Sequence, residues 1–255
     1  DRVVISDNGV PTYLAADIAY HKNKYERGFK KMINIWGADH HGYVARVKAA
    51  MEALGFDADK LEILLLQMVS LFRNGELVKM SKRTGRAITL NELIEEVGTD
   101  AARYFFIMRS LDTQLDFDLD LATSHSNENP VYYIQYANAR IFSIYRQVAE
   151  NGDTFDMTWK NVVWNKLQEE RELELIKKIS AYPEEIQTAA ADRAPHRIAR
   201  FVYELAGLFH AFYNNCHIIQ SDKELEDARL ALVTAVQITI ANSLAVLGIS
   251  APEKM

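Results

Sequence analysis

Cysteine is almost absent from this chain, which has only Cys216 among its 255 residues. One cysteine cannot form an internal disulfide, and no cysteines and histidines follow the spacing of a zinc site. We therefore expect a protein of a reducing compartment, the cytoplasm, with no bound metal.

The hydropathy pattern of the sequence also shows no long apolar run and no leader segment. On sequence alone, no apolar run approaches the roughly 18 residues of a membrane span. The first residues lack a basic segment followed by an apolar core. We expect no membrane partner. The chain opens without Met, directly before an apparent strand, so we expect that sequence is missing upstream.

Positive charge is in deficit, with 29 Lys and Arg against 35 Asp and Glu and a net charge of -6. This balance counts against indiscriminate affinity for polyanions, because phosphate binding needs clustered cations. Any nucleic-acid contact must be local. Basic clusters at 22–31 and 79–86 are candidates, although a solvated charged face explains either one equally well.

The first 75 residues alternate between apolar runs and amphipathic stretches, as α/β folds do. Strands are predicted over 3–6 and 32–36, and helices over 11–27 and 41–54. The apolar run 61–72 fits a strand or a helix, and Asn74-Gly75 after it is typical of a hairpin turn.

Helical patterns dominate the rest of the chain. The pattern predicts helices over 90–97 and 100–109, an acidic turn at 116–118, and nearly continuous helix from residue 129. The last helix has an apolar face of the kind that packs into a bundle: Leu225, Leu232, Val236, Ile240 and Leu247. The predicted parts are an α/β half-domain over 1–78, a connector over 79–124 and an all-α helical bundle over 125–255.

A basic, glycine-flanked loop follows the predicted hairpin, in the order Lys79-Met80-Ser81-Lys82-Arg83-Thr84-Gly85. Mobile ammonium groups can stabilise the charge that builds on phosphate during nucleotidyl transfer, whereas an isolated basic loop is usually just exposed. This string resembles the KMSKS motif of class I aminoacyl-tRNA synthetases. The resemblance implies that Lys79, Ser81 and Lys82 are catalytic and that Met80 contacts ATP.

Three further segments are similar to those of one family within that class. Residues 8–20, 37–42 and 129–140 resemble the amino-acid recognition segment, the following turn and the first anticodon-domain helix of arginyl-tRNA synthetases. The similarity spans essentially the whole chain. It implies a Rossmann-like half of the catalytic domain followed by a DALR-type anticodon-binding domain. It also implies L-arginine, ATP with Mg²⁺ and arginine tRNA as partners of a monomer without a tightly bound cofactor.

The candidate arginine-binding residues are Tyr13 and Asp17. Residues four apart on a helix share one face, and a carboxylate accepts two parallel hydrogen bonds from a guanidinium. Tyr13 would add an oriented hydroxyl, giving a site that lysine cannot satisfy. A helix with an exposed acid and a half-buried tyrosine is the alternative interpretation. The family resemblance favours arginine binding and adds His41 on the arginine side.

The candidate ATP-binding turn follows a predicted strand, where open α/β sheets place their ligands. The resemblance implies that Asp39 and His40 line the adenylate pocket and that Gly37 permits close approach. Met68 and Val69 would form the wall beside adenine, although a strand in the core explains them equally well. A zinc site is disfavoured because adjacent histidines point in different directions and no further ligand follows at helical spacing.

The candidate tRNA-binding residues are mostly aromatic, because aromatic rings stack on the unpaired bases of an RNA loop. By resemblance these residues are Tyr133, Tyr136, Arg140, Tyr213, His217 and Met255. The alternative is that tyrosines at helical spacing belong to the bundle core.

The chain departs from class I synthetases in lacking an HIGH-like ATP-binding element. We therefore expect this chain alone to be inactive. A non-catalytic tRNA-binding module derived from a synthetase is the competing hypothesis. The preserved basic loop, Tyr13 and Asp17 count against that hypothesis. A cysteinyl enzyme is a third possibility, but the chain offers no ligand set for its zinc.

Overall fold

A computed structural model describes residues 2–78, 88–152 and 158–255. The chain forms two compact units: Asp1–Val69 with Leu111–Leu115, and Ser70–Ser110 with Asp116–Met255. An α/β half-domain followed by a helical domain is confirmed as the fold class. The three domain boundaries predicted from the sequence stay predictions.

The first unit is built on a parallel pair of strands joined by a helix. Its elements are α1 (Tyr13–Glu26), β1 (Met32–Gly37), α2 (His41–Ala53) and β2 (Leu61–Leu66). β1 pairs with β2 from Met32 opposite Leu61 to Gly37 opposite Leu66. A parallel pair requires a crossover connection, which α2 supplies. Its core cluster consists of Met32, Val47, Met51 and Leu61.

The strand predicted over 3–6 is wrong, since an isolated antiparallel bridge from Ile5 to Pro11 is the pairing that this segment forms with described residues. The Ser6 side chain bonds to Asn8 and to the Val10 carbonyl, and Gly9 has a φ of 78°. These contacts fold the chain into a tight turn, which leaves room for one bridge instead of a strand.

The apolar run 61–72 divides into two strands. β2 ends before Gln67, whose backbone N–H donates to the Leu111 carbonyl at 2.8 Å. β3 (Val69–Arg73) then pairs with β4 (Glu76–Leu77) across Asn74-Gly75. Both turn residues have positive φ, 52° and 74°, as a two-residue type I′ hairpin requires. The hairpin prediction is confirmed.

The acidic turn predicted at 116–118 is wrong, because β5 (Leu115–Asp118) completes a three-stranded sheet in the order β4-β3-β5. Phe117 is fully buried while Asp116 and Asp118 are exposed, so the segment alternates as a strand does. Asp118 then caps the next helix by accepting from the Leu121 backbone N–H at 3.0 Å.

Helices make up most of the second unit. They are α3 (Leu90–Val97), α4 (Thr99–Ile107), α5 (Leu119–Thr123), α6 (Pro130–Glu150), α7 (Glu170–Ser180), α8 (Tyr182–Ala191), α9 (His196–Asn215) and α10 (Lys223–Leu247). α6 begins with an Asn129 cap and a proline in its first turn, which is a favoured helix start. Gly248 follows α10, and an added Cβ there would lie 2.5 Å from the Arg103 guanidinium.

The sequence-based expectation about apolar runs needs correction at α10, which is long and apolar enough to cross a membrane by length and composition. Its residues 230–247 carry no charge. Most of that stretch is buried inside the unit, as in the core helix of a bundle. Four of the five residues predicted for its packing face are buried: Leu232, Val236, Ile240 and Leu247.

Candidate functional sites: a cleft in the first unit and a pocket in the second

The first unit contains a cleft of about 500 Å³ between α1, β1 and α2. The cleft is lined by Tyr13, Asp17, Tyr20, His21, Lys24, Asn34, Trp36, His40 and Tyr43. Tyr13 and Asp17 therefore share a cavity, as their spacing on α1 predicts. Tyr13 is 91% exposed, so it lies at the rim and can meet a ligand that enters.

Asp17 faces a second phenol inside the cleft. Burial, followed by the neighbouring Asp17 carboxylate, raises the pKa of the Tyr43 hydroxyl. This hydroxyl is buried and has no hydrogen bond of good geometry within the described residues. A phenol with a raised pKa stays protonated and keeps its donor. The cleft thus combines the Asp17 carboxylate with the phenols of Tyr13, Tyr20 and Tyr43, a set that suits a cationic ligand with several N–H groups.

The floor of the cleft is a chain of polar groups, of which His21 and Asn34 are buried and Lys24 is half-buried. Lys24 Nζ donates to Asn34 Oδ1 at 3.1 Å, and Asn34 Nδ2 lies 2.6 Å from His21 Nε2. His21 Nδ1 lies 2.7 Å from the Asp17 backbone carbonyl, which can only accept. The proton must therefore be on Nδ1, and Nε2 accepts from the amide. With this tautomer, each of the three contacts joins a donor to an acceptor.

Sequence reasoning missed this floor. His21 and Lys24 follow Asp17 at intervals of four and seven residues, so they share its helical face. Asn34 interrupts the otherwise apolar strand Met32-Ile33-Asn34-Ile35-Trp36, and a polar residue there was the available signal. A buried amide in a short strand needs a partner, which here is His21.

Of the other residues predicted to bind ATP or arginine in this unit, some line the cleft and some lie outside it. At Gly37 an added Cβ would lie 2.6 Å from Asp39 Oδ1, and the approach of ATP to this glycine stays a prediction. His40 lines the cleft, whereas Asp39 and His41 do not. His41 is exposed, with Nδ1 3.2 Å from the Ala38 carbonyl.

Met68 and Val69 follow β2 outside the cleft, and Met68 is 70% exposed. Lys79, Met80, Ser81 and Lys82 lie outside the described residues. Among residues 2–78, 88–152 and 158–255, no three His, Cys, Asp or Glu side chains are grouped as a metal site.

The second unit contains a pocket of about 420 Å³ between α6, α9 and the segment after α10. We call it the Arg140 pocket; it is lined by Tyr136, Ala139, Arg140, Ser143, Arg146, Tyr213, Lys254 and Met255. Four of the six residues predicted to contact tRNA meet here: Tyr136, Arg140, Tyr213 and Met255. Ser143, Arg146 and Lys254 were not predicted, although Ser143 and Arg146 continue along α6 beyond Arg140.

Arg140 lies between two aromatic rings in this pocket. Its guanidinium carbon is 4.9 Å from the Tyr136 ring centroid and 4.4 Å from that of Tyr213. It also donates to the Tyr136 hydroxyl at 3.1 Å. Cation–π contacts hold a guanidinium in place while it keeps its positive charge. The arrangement presents a fixed cation and aromatic faces to a ligand, which are the features used to bind single-stranded RNA.

Tyr133 lies outside the Arg140 pocket and packs within the bundle. Its ring centroid is 4.6 Å from that of His210 and 5.3 Å from that of Tyr203. Burial, with a contribution from Tyr203, raises the pKa of its hydroxyl. Burial also lowers the pKa of His210, whose Nε2 lies 3.3 Å from the Tyr133 carbonyl. These contacts match the bundle-core alternative for Tyr133.

His217 lines a smaller cavity of about 270 Å³ that shares Tyr213 with the Arg140 pocket. The His217 carbonyl accepts from Arg229 Nη1 at 2.6 Å. Arg229 in turn pairs with Glu172 at 2.6 Å, and both side chains are buried. A buried ion pair between α7 and α10 thus fixes the backbone beside this second cavity.

Comparison with known proteins gives the class of the helical unit first. Residues 134–255 match the DALR anticodon binding domain family. The Arg140 pocket lies within the matched residues.

The particular family follows from matches over the whole chain. An arginine–tRNA ligase of Carboxydothermus hydrogenoformans is 58% identical over all 255 residues, which cover 46% of that protein. A structure from Campylobacter jejuni, assigned as an arginyl-tRNA synthetase, is 41% identical with a TM-score of 0.89, covering 100% of this chain and 55% of that one. Thermus thermophilus arginyl-tRNA synthetase shares the fold, with a TM-score of 0.79 at 23% identity over 100% of this chain and 51% of that one.

The chain is a homologue of the arginyl-tRNA synthetases and spans about half the length of the curated relatives it matches.

Proposed function

We propose that this chain supplies the arginine-binding and tRNA-binding parts of an arginine–tRNA ligase. Such an enzyme activates L-arginine with ATP and Mg²⁺ as substrates and transfers it to the 3′ end of arginine tRNA. Whole-chain similarity to arginine–tRNA ligases supports the assignment. A cytoplasmic, monomeric protein is part of the same proposal.

In the proposed activation step, the cleft holds the arginine side chain. The Asp17 carboxylate accepts from the guanidinium, and the Tyr13 and Tyr43 hydroxyls orient it. Lysine carries one compact ammonium, so it cannot fill a bidentate site and leaves polar groups unpaired. His40 lies at the cleft where the nucleotide is expected. Lys79 and Lys82, with Ser81 and Met80 beside them, neutralise the charge that develops on the α-phosphate.

The observation that carries the tRNA part is the position of Arg140 between Tyr136 and Tyr213. The chain has a net charge of -6, so its surface does not attract RNA in general. Arg146 and Lys254 line the same pocket and add two more cations. A local group of cations beside two tyrosines suits the unpaired bases and phosphates of an anticodon loop.

The test is binding of arginine tRNA by the chain at fixed moderate salt, beside a tRNA with a substituted anticodon. The Arg140→Ala variant should bind about tenfold more weakly, because a phosphate or stacking contact is lost. Arg200→Ala is the matched control. Its side chain is 80% exposed on α9, where it pairs with Glu204 at 2.7 Å. Equal binding of both tRNAs, or equal effects of both variants, would contradict the proposed function.

A further inference from the structure

The last segment of the chain, residues 248–255, is held by side chains from two helices. Asp100 on α4 and Gln135, Asn138 and Arg146 on α6 bond to it, and Gln237 on α10 bonds to Asn138. The segment supplies Lys254 and Met255 to the Arg140 pocket. The side chains that hold it do not need to touch a ligand to affect binding.

The first anchor is at Ser250. Its backbone N–H donates to Asp100 Oδ1 at 3.1 Å, and its hydroxyl donates to Asp100 Oδ2. Gln135 Nε2 donates to the Ser250 carbonyl at 3.0 Å and to Asp100 Oδ2 at 2.8 Å. Gln135 is only 9% exposed, so its two bonds are partly buried, and leaving one of them unmade is costly.

The second anchor is Asn138, which is fully buried. Its Nδ2 donates to the Ala251 carbonyl at 3.2 Å and to the Pro252 carbonyl at 2.9 Å. Gln237 Nε2 donates to Asn138 Oδ1 at 3.3 Å, which fixes the orientation of the amide. Arg146 then reaches the Glu253 carbonyl at 3.4 Å. Consecutive carbonyls from 250 to 253 are thus bonded by side chains.

α6 therefore presents two adjacent faces with different tasks. Tyr136 and Arg140 are four residues apart and line the pocket. Gln135 and Asn138 are three apart and face the 248–255 segment. Because both faces belong to one rigid helix, the distance from the Arg140 guanidinium to the anchored segment is set by the helix itself.

We propose that Gln135 and Asn138 are positioning residues for RNA binding, acting by fixing Lys254 and Met255 against Arg140. This inference rests on the proposed function. It predicts that Asn138→Ala weakens tRNA binding only while Lys254 and Met255 are present to make their contacts. A structural role in the bundle would instead lower stability without depending on those two residues.

The experiment is a double-mutant cycle on the affinity of the chain for arginine tRNA. The forms are the unaltered chain, Asn138→Ala, the pair Lys254→Ala with Met255→Ala, and all three substitutions together. Asn138→Ala and the 254–255 pair should each weaken binding about tenfold, and the combination should weaken it no further, because both remove the same contact. Additive losses would overturn the inference.

Two further variants separate positioning from folding. Gln237→Ala removes the bond to Asn138 Oδ1 and should weaken tRNA binding in the same, non-additive way, even if Asn138→Ala fails to fold. Tyr145→Phe removes a 2.9 Å bond from α6 to Thr234 on α10 without touching the 248–255 segment. It should leave affinity unchanged, and a loss equal to that of Asn138→Ala would overturn the inference.

The outcomes also distinguish this inference from the function beneath it. If the unaltered chain does not prefer arginine tRNA, the proposed function and the inference both fall. A different result removes the inference alone. In that case the chain prefers arginine tRNA and Arg140→Ala weakens binding. The losses of affinity from Gln237→Ala and Asn138→Ala, however, add to the loss from the 254–255 pair.

Discussion

The two units differ in the elements and side chains that form their candidate binding sites. The first uses short elements around a small core cluster, and it leaves Ile33 and Ile35 of β1 45% and 62% exposed. Its cleft is organised by the buried side chains of His21 and Asn34, with the half-buried Lys24 ammonium donating to the Asn34 amide. The second uses helices of up to 25 residues, and its pocket holds a permanent cation between aromatic rings.

This difference follows from what each site is proposed to bind. A cleft for a small cation needs a few donors and acceptors at fixed positions, and burial of neutral groups supplies that precision. A pocket for an RNA loop needs positive charge near solvent, and long helices supply a rigid frame for it. Substitutions in the cleft should therefore leave the Arg140 pocket unchanged, and substitutions in the pocket should leave the cleft unchanged.

The largest effect is expected at the buried ion pair of the second unit. Glu172→Ala leaves the Arg229 charge buried without its partner, and this should lower the free energy of unfolding by about 3–5 kcal/mol. Denaturant unfolding followed by circular dichroism measures it. Glu170→Ala, at an exposed position on the same helix, is the control. A loss no greater than that of the control would show that the pair is not stabilising.

A smaller effect is expected in the cleft. Asp17→Asn removes the carboxylate proposed to bind the guanidinium, and arginine affinity should fall about 10- to 100-fold, as for a lost charged hydrogen bond. Trp36 lines the cleft, so its fluorescence can follow arginine binding. Glu52→Gln, on the exposed side of α2, is the control. An unchanged arginine affinity for Asp17→Asn would exclude this role, while tRNA binding should be unaffected.

The smallest effect is expected from pH. Burial lowers the pKa of His210, so the unfolded chain binds its proton more readily than the folded unit does. The contribution of a neutral His210 is complete above the unfolded pKa of about 6.5 and is lost as pH falls toward the lower folded pKa. The difference in unfolding free energy between the unaltered chain and His210→Gln should shrink from pH 7.5 to pH 5. A constant difference would contradict it.

Sequence patterns predicted the elements that depend on local signals. Asn74-Gly75 specified a hairpin, and the helix predicted over 41–54 is present as α2. The two errors near residues 5 and 117 came from short segments, where a turn or a strand depends on partners distant in sequence. Periodicity on α1 was enough to bring Tyr13 and Asp17 together.

Contacts between distant segments escaped the sequence analysis. The bonds from Asn34 to His21 and from Asn138 to the Pro252 carbonyl join residues that no local pattern connects. The same holds for Lys254, which reaches the Arg140 pocket only because the 248–255 segment returns to α6. Such partners are fixed by tertiary packing, so a polar residue in an apolar stretch indicates that a partner exists without identifying it.

The anchoring of the 248–255 segment has a consequence for the order of folding. The bonds from Asn138 to this segment span more than 110 positions of the chain. Contacts of such high sequence separation form after local helices, because the intervening chain must first be ordered. The Arg140 pocket therefore forms only after α10 has packed and the segment after Gly248 has bonded to α6. A nascent chain can carry every tyrosine of the site while lacking the site itself.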